Sequence, residues 1–293
     1  MKILVAIDHS PSSGTVLQAA VTRAWPADAQ FCVLNVTDLQ RFERLPVLIE
    51  DAMREGRRLT EEGAQQISGA GYEAFPKTSP GNPRSDIPCF ANEWGADLIL
   101  VGSHGHSAIG RFLLGSVSQA VLRTAPCSVE IVRMIPDSSP FKVLFATDGS
   151  DCSLAAARIV ADRPWPAGSV FKIISVEEPV LARDRFARDA YSAVYSTSLL
   201  EELATQARER ARSAVHAAKD ILCHASVTLA EGDSVRLGET RGAILEAAKD
   251  WGAHLILLGS HGRRGFNRFV MGSVSEAVAI HASCSVQVVR PRQ

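Results

Sequence analysis

The sequence lacks the features that mark membrane, nucleic-acid-binding and disulfide-rich proteins. No apolar run approaches the roughly 18 residues that a membrane span needs. A formal net charge of -1 shows no excess of Lys and Arg for a polyanionic partner. The six cysteines include no C-x-x-C pair, so we interpret them as free thiols. We therefore expect a cytoplasmic protein with no membrane or nucleic-acid partner.

Motifs typical of enzymes are also missing. The sequence has no P-loop lysine motif, and its residues suggest no Ser-His-Asp or Cys-His arrangement. Phosphoryl transfer usually needs a positioned base or water and a metal near the reacting phosphate. We expect no catalytic residues and do not interpret the chain as an enzyme.

Three loop histidines, His9, His104 and His106, offer the best case for a metal site. All three would lie at the carboxyl edge of a sheet, where imidazole nitrogens could share a metal. The alternative is that they face solvent or phosphate. Because only His104 has a counterpart in the second half of the chain, His261, we favour the alternative and expect no metal site.

What the sequence does contain is one glycine pattern that occurs twice. It reads G-x-x-G, nine further residues, then Gly-Ser, at 102–116 and again at 259–273. Asp8 corresponds to Asp148, an offset of 140, whereas the glycine patterns correspond at an offset of 157, so the second copy carries 17 extra residues, within 181–223. The repeat predicts two domains, 1–136 and 140–293, joined by a short proline-containing link.

Each copy alternates short apolar runs with stretches of helical periodicity. Continuous β-branched runs are typical of parallel strands that are buried on both faces. The pattern predicts, in each copy, a doubly wound, Rossmann-like α/β domain with a five-stranded parallel sheet. The predicted strands lie near 2–7, 31–36, 72–75, 97–101 and 129–133, and near 142–147, 171–176, 226–229, 254–258 and 286–290.

Both glycine loops follow a predicted strand and precede a predicted helix. Glycine lets backbone N–H groups close on a bulky anion, and a helix N-terminus adds unpaired N–H groups. The alternative is that the glycines only make turns and the serines only cap helices. Two copies in the same context favour a phosphate site.

Asp8 and Asp148 each end the first strand of a copy, which directs them to the same crevice as the glycine loop. A carboxylate there can accept hydrogen bonds from ribose hydroxyls. The alternative is an N-cap of the following helix, and both roles can coexist.

Together these features resemble the universal stress protein family. The resemblance rests on the strand that ends in Asp8, the strand 33–36, the run 96–99 that leads into Gly-Ser-His-Gly, and the closing Gly-Ser-Val-Ser. It covers both copies and implies a tandem universal stress protein of the adenine-nucleotide α-hydrolase-like fold. Because both copies keep the glycine motif, it implies ATP binding, with or without Mg, and a regulatory role in stress responses. A nucleotide-independent scaffold and a slow ATPase are the alternatives.

The family also implies positions for the two sites and for pairing between the copies. The last strands, 129–133 and 286–290, would pair to form an internal pseudo-dimer, with further homodimerisation left open. An aspartate would bind the ribose, and the glycine-motif residues would contact the phosphates. Apolar residues would line the adenine pocket, and the alternative is that they only pack in the hydrophobic core. The implied residues are Asp8, Val36, Val101, Gly102, Gly105, Gly115, Ser116 and Val117 in the first site, and Asp148, Val176, Leu258, Gly259, Gly262, Gly272, Ser273 and Val274 in the second.

Two departures from symmetry carry predictions of their own. Pro88 lies in the helix before the fourth strand, and we expect that helix to start late, so that Pro88 falls in its first turn. The second glycine loop contains Arg263 and Arg264 where the first has uncharged residues. We therefore expect the second site to bind phosphates more tightly.

Overall fold

The structure is a computed structural model, and it describes residues 1–38, 46–104, 114–136, 140–178, 197–225, 227–232, 234–262 and 271–291. Strands and helices alternate through both repeats. The first repeat contains β1 (Lys2–Ala6), α1 (Pro11–Thr22), β2 (Gln30–Asp38), α2 (Pro46–Gly69), β3 (Glu73–Gly81), α3 (Pro83–Trp94), β4 (Leu98–Gly102), α4 (Ser116–Thr124) and β5 (Ser128–Val132). The second contains β6 (Lys142–Ala146), α5 (Asp151–Ala161), β7 (Val170–Glu177), α6 (Thr197–Leu222), β8 (Thr228–Leu229), β9 (Val235–Leu237), α7 (Thr240–Trp251), β10 (Leu255–Gly259), α8 (Ser273–His281) and β11 (Ser285–Val289).

The strands of both repeats form one continuous sheet. Its order is β3-β2-β1-β4-β5-β11-β10-β6-β7-β8, and β9 also pairs with β7. Neighbours within each repeat are parallel, as predicted, and the strand order reverses between β1 and β4 and between β6 and β10. In sheets of this kind ligands bind beyond the carboxyl ends of the strands at such reversals.

The two repeats meet where β5 and β11 pair antiparallel, which confirms the predicted pairing of the last strands. Glu130 lies opposite Gln287 at the centre of this seam. Arg133 and Arg290 each follow a last strand and cross the seam. Arg133 donates to the Ala279 carbonyl at 2.6 Å, at the end of α8. Arg290 donates in the same way at the end of α4, so each repeat caps a helix of the other.

One apolar core runs under the seam on the face covered by α3, α4, α7 and α8. It includes Leu4 and Ile99 from the first repeat and Leu144 and Ile256 from the second. The opposite face of the sheet has two separate cores, one in each repeat, under α1 and α2 and under α5 and α6. The shared core joins the repeats through side-chain packing as well as through backbone pairing.

The prediction for Pro88 is wrong. Helix α3 begins at Pro83 after the N-cap Asn82, whose side chain accepts a hydrogen bond from the Arg84 N–H at 3.0 Å. Pro88 is the sixth residue of this helix and is buried. It cannot donate to the Arg84 carbonyl, so α3 lacks that intrahelical hydrogen bond.

The third strand of the second repeat also differs from the prediction. A single strand was expected near 226–229, whereas two short strands, β8 and β9, pair with β7. Helix α6 occupies most of the segment 181–223, where the extra residues were placed. The Arg-rich start of that segment, 183–188, lies outside the described residues. No helix in the described ranges is both long and apolar enough for a bilayer crossing.

Candidate functional site

The first predicted glycine of each motif packs a strand end against a helix. A Cβ added at Gly102 would lie 2.5 Å from Ser12 Oγ, in the first turn of α1. A Cβ at Gly259 would lie 3.3 Å from Cys152 Sγ, in the first turn of α5. The close approach of the backbone leaves no room for a Cβ at Gly102 and little room at Gly259, a role apart from any ligand.

Asp8 and Asp148 lie at the strand-order reversals, and each holds the chain that leads into a helix. Asp8 Oδ1 accepts hydrogen bonds from the Ser10 N–H and from Ser13 Oγ, both at 3.0 Å. Asp148 Oδ1 accepts from the Ser150 N–H at 3.0 Å and from its hydroxyl at 2.6 Å. The N-caps are Ser10 and Ser150, so the aspartates support the caps and are not the caps themselves.

The hydrogen bonds within this turn use one oxygen of each carboxylate, Oδ1. Among the described residues, none donates a hydrogen bond to Asp8 Oδ2. In the second repeat, a Cβ added at Gly262 would lie 2.7 Å from Asp148 Oδ2, which brings two predicted site residues together. The counterpart of Gly262, Gly105, lies outside the described residues.

The N-termini of α4 and α8 also open at these reversals. Their N-caps are Gly115 and Gly272, and neither helix has a side-chain cap within the described ranges. The N–H of each N-cap glycine donates to a loop carbonyl at 2.8 Å, so it is not free for a phosphate. The N–H groups of Ser116 and Val117, and of their counterparts at 273–274, are in the first turn, where a helix supplies no acceptor. An anion at this site would bind these amides.

Each glycine loop holds one histidine whose ring contacts the preceding serine. His104 Nδ1 shares a hydrogen bond with Ser103 Oγ at 2.8 Å, and His261 Nδ1 shares one with Ser260 Oγ at 2.9 Å. Among the described residues, the Nε2 atom of both rings is buried and has no hydrogen-bond partner. Buried polar atoms normally have a partner, so this repeated exception is a position where a further hydrogen-bonding group would bind. His106 lies outside the described residues, and the described ranges contain no cluster of metal-binding side chains.

The apolar residues predicted for the adenine pocket belong to the shared core or border it. Val36, Val101 and Leu258 are buried members of that core. Three partly buried valines pack against it, Val117, Val176 and Val274. Core packing therefore explains their burial.

Sequence reasoning missed an arginine beside the first site. Arg84 Nη2 donates to Ser116 Oγ at 3.0 Å, at the open N-terminus of α4. Its counterpart in the second repeat is Arg241, where Nε donates to Glu239 Oε1 at 2.6 Å. This hydrogen bond is the largest cause of the lowered pKa of Glu239. The sequence signal for these two arginines was their spacing, because Arg84 and Arg241 correspond at the same offset of 157 as the two glycine motifs.

This arginine changes the basis for ranking the two sites. Arg263 and Arg264, on which the expected preference for the second site depends, lie outside the described residues. Within the described ranges, Arg84 is directed at the helix N-terminus, whereas Arg241 already has a carboxylate partner. The described geometry therefore gives the first site the better-placed cation.

A groove of about 610 Å³ is lined by Asp148 in the second repeat. Its walls are Gly149 and one face of α6, including Gln206, Arg210 and Ser213. Gly149 has a φ of +73°, and a Cβ there would lie 2.9 Å from the Ala214 Cβ. Close packing of α6 on this turn therefore needs glycine.

Comparisons with known proteins match this architecture. The family model described as "Universal stress protein family" matches residues 1–133 and again 141–290. A Staphylococcus haemolyticus protein named for this family is 34% identical over 137 residues, which is 45% of this chain and 83% of that protein. The crystal structure of a universal stress protein from Archaeoglobus fulgidus covers 100% of this chain and 97% of its own, with a TM-score of 0.65 and 24% identity.

A Pseudomonas aeruginosa crystal structure named for the same family covers 99% of this chain and 93% of its own, with a TM-score of 0.58 and 17% identity. At these identities the two solved structures bear on the fold alone. The family assignment comes from the two matches of the family model, which together span nearly the whole chain. The chain therefore belongs to the universal stress protein family, with two of the family's domains in tandem.

Proposed function

We propose that each repeat binds one ATP molecule and that occupancy regulates the protein's conformation or its choice of partner in a stress response. The observation that carries the proposal is the Nε2 atom of His104, which is buried and has no hydrogen-bond partner among the described residues, and which recurs at His261. In each repeat the same loop borders an uncapped helix N-terminus, and the turn after the first strand holds Oδ1 of an aspartate at the strand-order reversal. These groups are suited to an anion next to a hydroxylated sugar.

The proposed pose follows from the order of these groups along each crevice. The adenine would lie on the partly buried valines that border the core. The ribose hydroxyls would donate to the carboxylate of Asp8 or Asp148. The phosphates would bind the amides at the N-terminus of α4 or α8 and the histidine Nε2. A Mg²⁺ ion would be held mainly by phosphate oxygens and water, which needs no dedicated protein cage.

Regulation would pass through the seam between the repeats. The phosphates would bind at the N-terminus of α4, and the C-terminal carbonyls of the same helix accept hydrogen bonds from Arg290 of the other repeat. Helix α8 has the reciprocal arrangement with Arg133. A shift of either helix on binding would therefore change contacts across the seam. On this basis we propose that the two repeats act as an internal pseudo-dimer.

Thermal unfolding with and without ATP tests the proposal. A ligand that binds only the folded state stabilises it by about 2.7 kcal/mol at a hundred times its Kd. We expect ATP to raise the melting temperature and Gly262→Ala to remove the contribution of the second site, because the added Cβ would push on Asp148 Oδ2. Gly69→Ala is the matched control, since a Cβ there meets nothing within 4 Å.

The two principal outcomes are distinct. The two-site proposal is supported if the ATP-dependent shift disappears in the double variant Gly262→Ala with Asp8→Ala, in which both sites are altered. The shift should persist in Gly69→Ala. Absence of any ATP-dependent shift in the unmodified protein contradicts it and favours a nucleotide-independent scaffold. Release of labelled phosphate from ATP would instead favour the slow ATPase.

A further inference from the structure

Helices α3 and α7 occupy equivalent places in the two repeats, but they differ at the residue that caps their first turn. The N-cap of α3 is Asn82 and that of α7 is Glu239, and the two positions correspond at the offset of 157. Both side chains accept hydrogen bonds from N–H groups of the first turn. The caps therefore have the same structural role, but the second one carries a negative charge.

Each cap is followed two residues later by an arginine, and the two arginines take different directions. Arg84 reaches from α3 to the first residue of α4, where its Nη2 donates to Ser116 Oγ at 3.0 Å. Arg241 stays in the first turn of its own helix, where its Nε donates to Glu239 Oε1 at 2.6 Å. A carboxylate binds a guanidinium more strongly than an amide does. The charge of the cap therefore accounts for the two directions.

The electrostatics of the second repeat agree with this explanation. The hydrogen bond to Glu239 and the charge of this carboxylate raise the pKa of Arg241. Two backbone N–H groups of the same turn, those of Arg241 and Gly242, also bind the carboxylate. Glu239 is thus fixed beside the helix start and holds the Arg241 side chain there.

Arg84 is free to bind a further group. Among the described residues, its hydrogen-bond partner is the Ser116 hydroxyl, which is uncharged. This bond uses only one of the several N–H donors of the guanidinium group. The planar guanidinium group is suited to binding a phosphate through two parallel hydrogen bonds.

Ser116 lies where we propose that the phosphates bind. The N–H groups of Ser116 and Val117 are in the first turn of α4, where the helix supplies no acceptor. The loop that precedes this helix contains His104, whose Nε2 is buried and has no hydrogen-bond partner among the described residues. Arg84 therefore adds a positive charge beside donors that an anion would contact.

We propose that Arg84 binds the phosphates of the nucleotide in the first crevice, and that Glu239 withholds the equivalent arginine, Arg241, from the second. This inference rests on the proposed function and names the residue that decides whether this arginine takes part. In the second crevice the phosphates would have to compete with the Glu239 carboxylate for Arg241.

Isothermal titration of the full chain with ATP and with adenosine tests the role of Arg84. Arg84→Gln should weaken one of the two ATP sites by about tenfold, because the phosphates lose hydrogen bonds from a charged donor. Adenosine has no phosphate, so its affinity should stay within about twofold of that of the unmodified chain. Arg158→Gln is the matched control, since Arg158 is exposed in the last turn of α5 and the substitution makes the same charge change. We expect it to alter neither affinity by more than about twofold.

Glu239→Asn tests the role of the charged cap, because Asn82 caps the equivalent helix of the first repeat. The substitution releases Arg241, and we expect the affinity of the other ATP site to rise by about twofold to fivefold, since exposed ion pairs of this kind are weak. Loss of the negative charge can also act on phosphates without the arginine. The double variant Glu239→Asn with Arg241→Gln is therefore the control, and it should lose the gain.

The outcomes separate this inference from the proposed function. If ATP does not bind to the unmodified chain, the proposed function fails and the inference fails with it. If ATP binds at two sites but Arg84→Gln weakens neither, or weakens adenosine binding as much as ATP binding, the proposed function stands and the role of Arg84 is wrong. No gain in Glu239→Asn, or a gain that persists in the double variant, contradicts the role of Glu239.

Discussion

The buried charges at the seam give the sharpest prediction about what holds the repeats together. Glu130 is fully buried in β5 and forms an ion pair with Arg23, which is also buried. Burial lowers the pKa of Arg163 to about 9, and Glu130 is the main opposing influence. Arg23 and Arg163 are counterparts at the offset of 140, whereas the counterpart of Glu130 is Gln287. Among the described residues, the buried group around Glu130 therefore contains this carboxylate and the guanidinium groups of Arg23 and Arg163.

Glu130→Gln would leave both guanidinium groups buried without an acid between them. Breaking a buried ion pair by removing one partner costs about 3–5 kcal/mol, and we expect a loss of unfolding free energy in that range. The double variant Glu130→Gln with Gln287→Glu should recover most of it. The two residues lie directly opposite each other in the pairing of β5 with β11, so the exchange restores one acid between two equivalent arginines.

Urea denaturation followed by circular dichroism measures both effects. The control is Glu276→Gln, because Glu276 also pairs across the seam, with Arg123, but this pair is partly exposed. Such a pair contributes about 0–1 kcal/mol. A loss below 1 kcal/mol for Glu130→Gln, or no recovery in the exchanged variant, would refute our interpretation of the seam.

Two further predictions concern the seam and the core. Arg290→Ala should destabilise the chain by about 1–3 kcal/mol, because carbonyls at the end of α4 lose hydrogen bonds to a charged donor; an unchanged urea midpoint would contradict the cap across the seam. Burial raises the pKa of the Cys32 thiol to about 12. Since the thiolate is the reactive form, we expect iodoacetamide at mildly alkaline pH to modify the exposed Cys223 and spare Cys32 until the chain unfolds. Mass spectrometry of the digested protein would detect early labelling of Cys32, which would show that this burial is wrong.

The sequence was sufficient to predict the order of strands and helices because the parallel strands are continuous apolar runs. Each of the ten predicted strands overlaps one strand of the structure, and β9 is a further short strand beyond the one predicted near 226–229. The sequence offers no strong signal for β9 because it has only three residues and is recognised by its pairing with β7. The position of Pro88 was misjudged because Asn82 caps the helix six residues earlier, and surrounding packing tolerates the missing hydrogen bond.

The candidate site was predictable in part. The repeated motif identified the loops and both aspartates, since residue type and position recur there. It could not show that the N–H groups of Gly115 and Gly272 are bound to loop carbonyls, because both hydrogen bonds depend on how the loop folds back. Nor could it assign Arg84, which lies on a different helix and reaches the site only in three dimensions.

Isothermal titration of the full chain with ATP tests the central claim most directly. We predict that ATP binds with a stoichiometry of two per chain, one molecule for each crevice, and that Gly262→Ala reduces it to one. The claim is contradicted if ATP does not bind, or if the stoichiometry is the same in Gly262→Ala as in the unmodified chain.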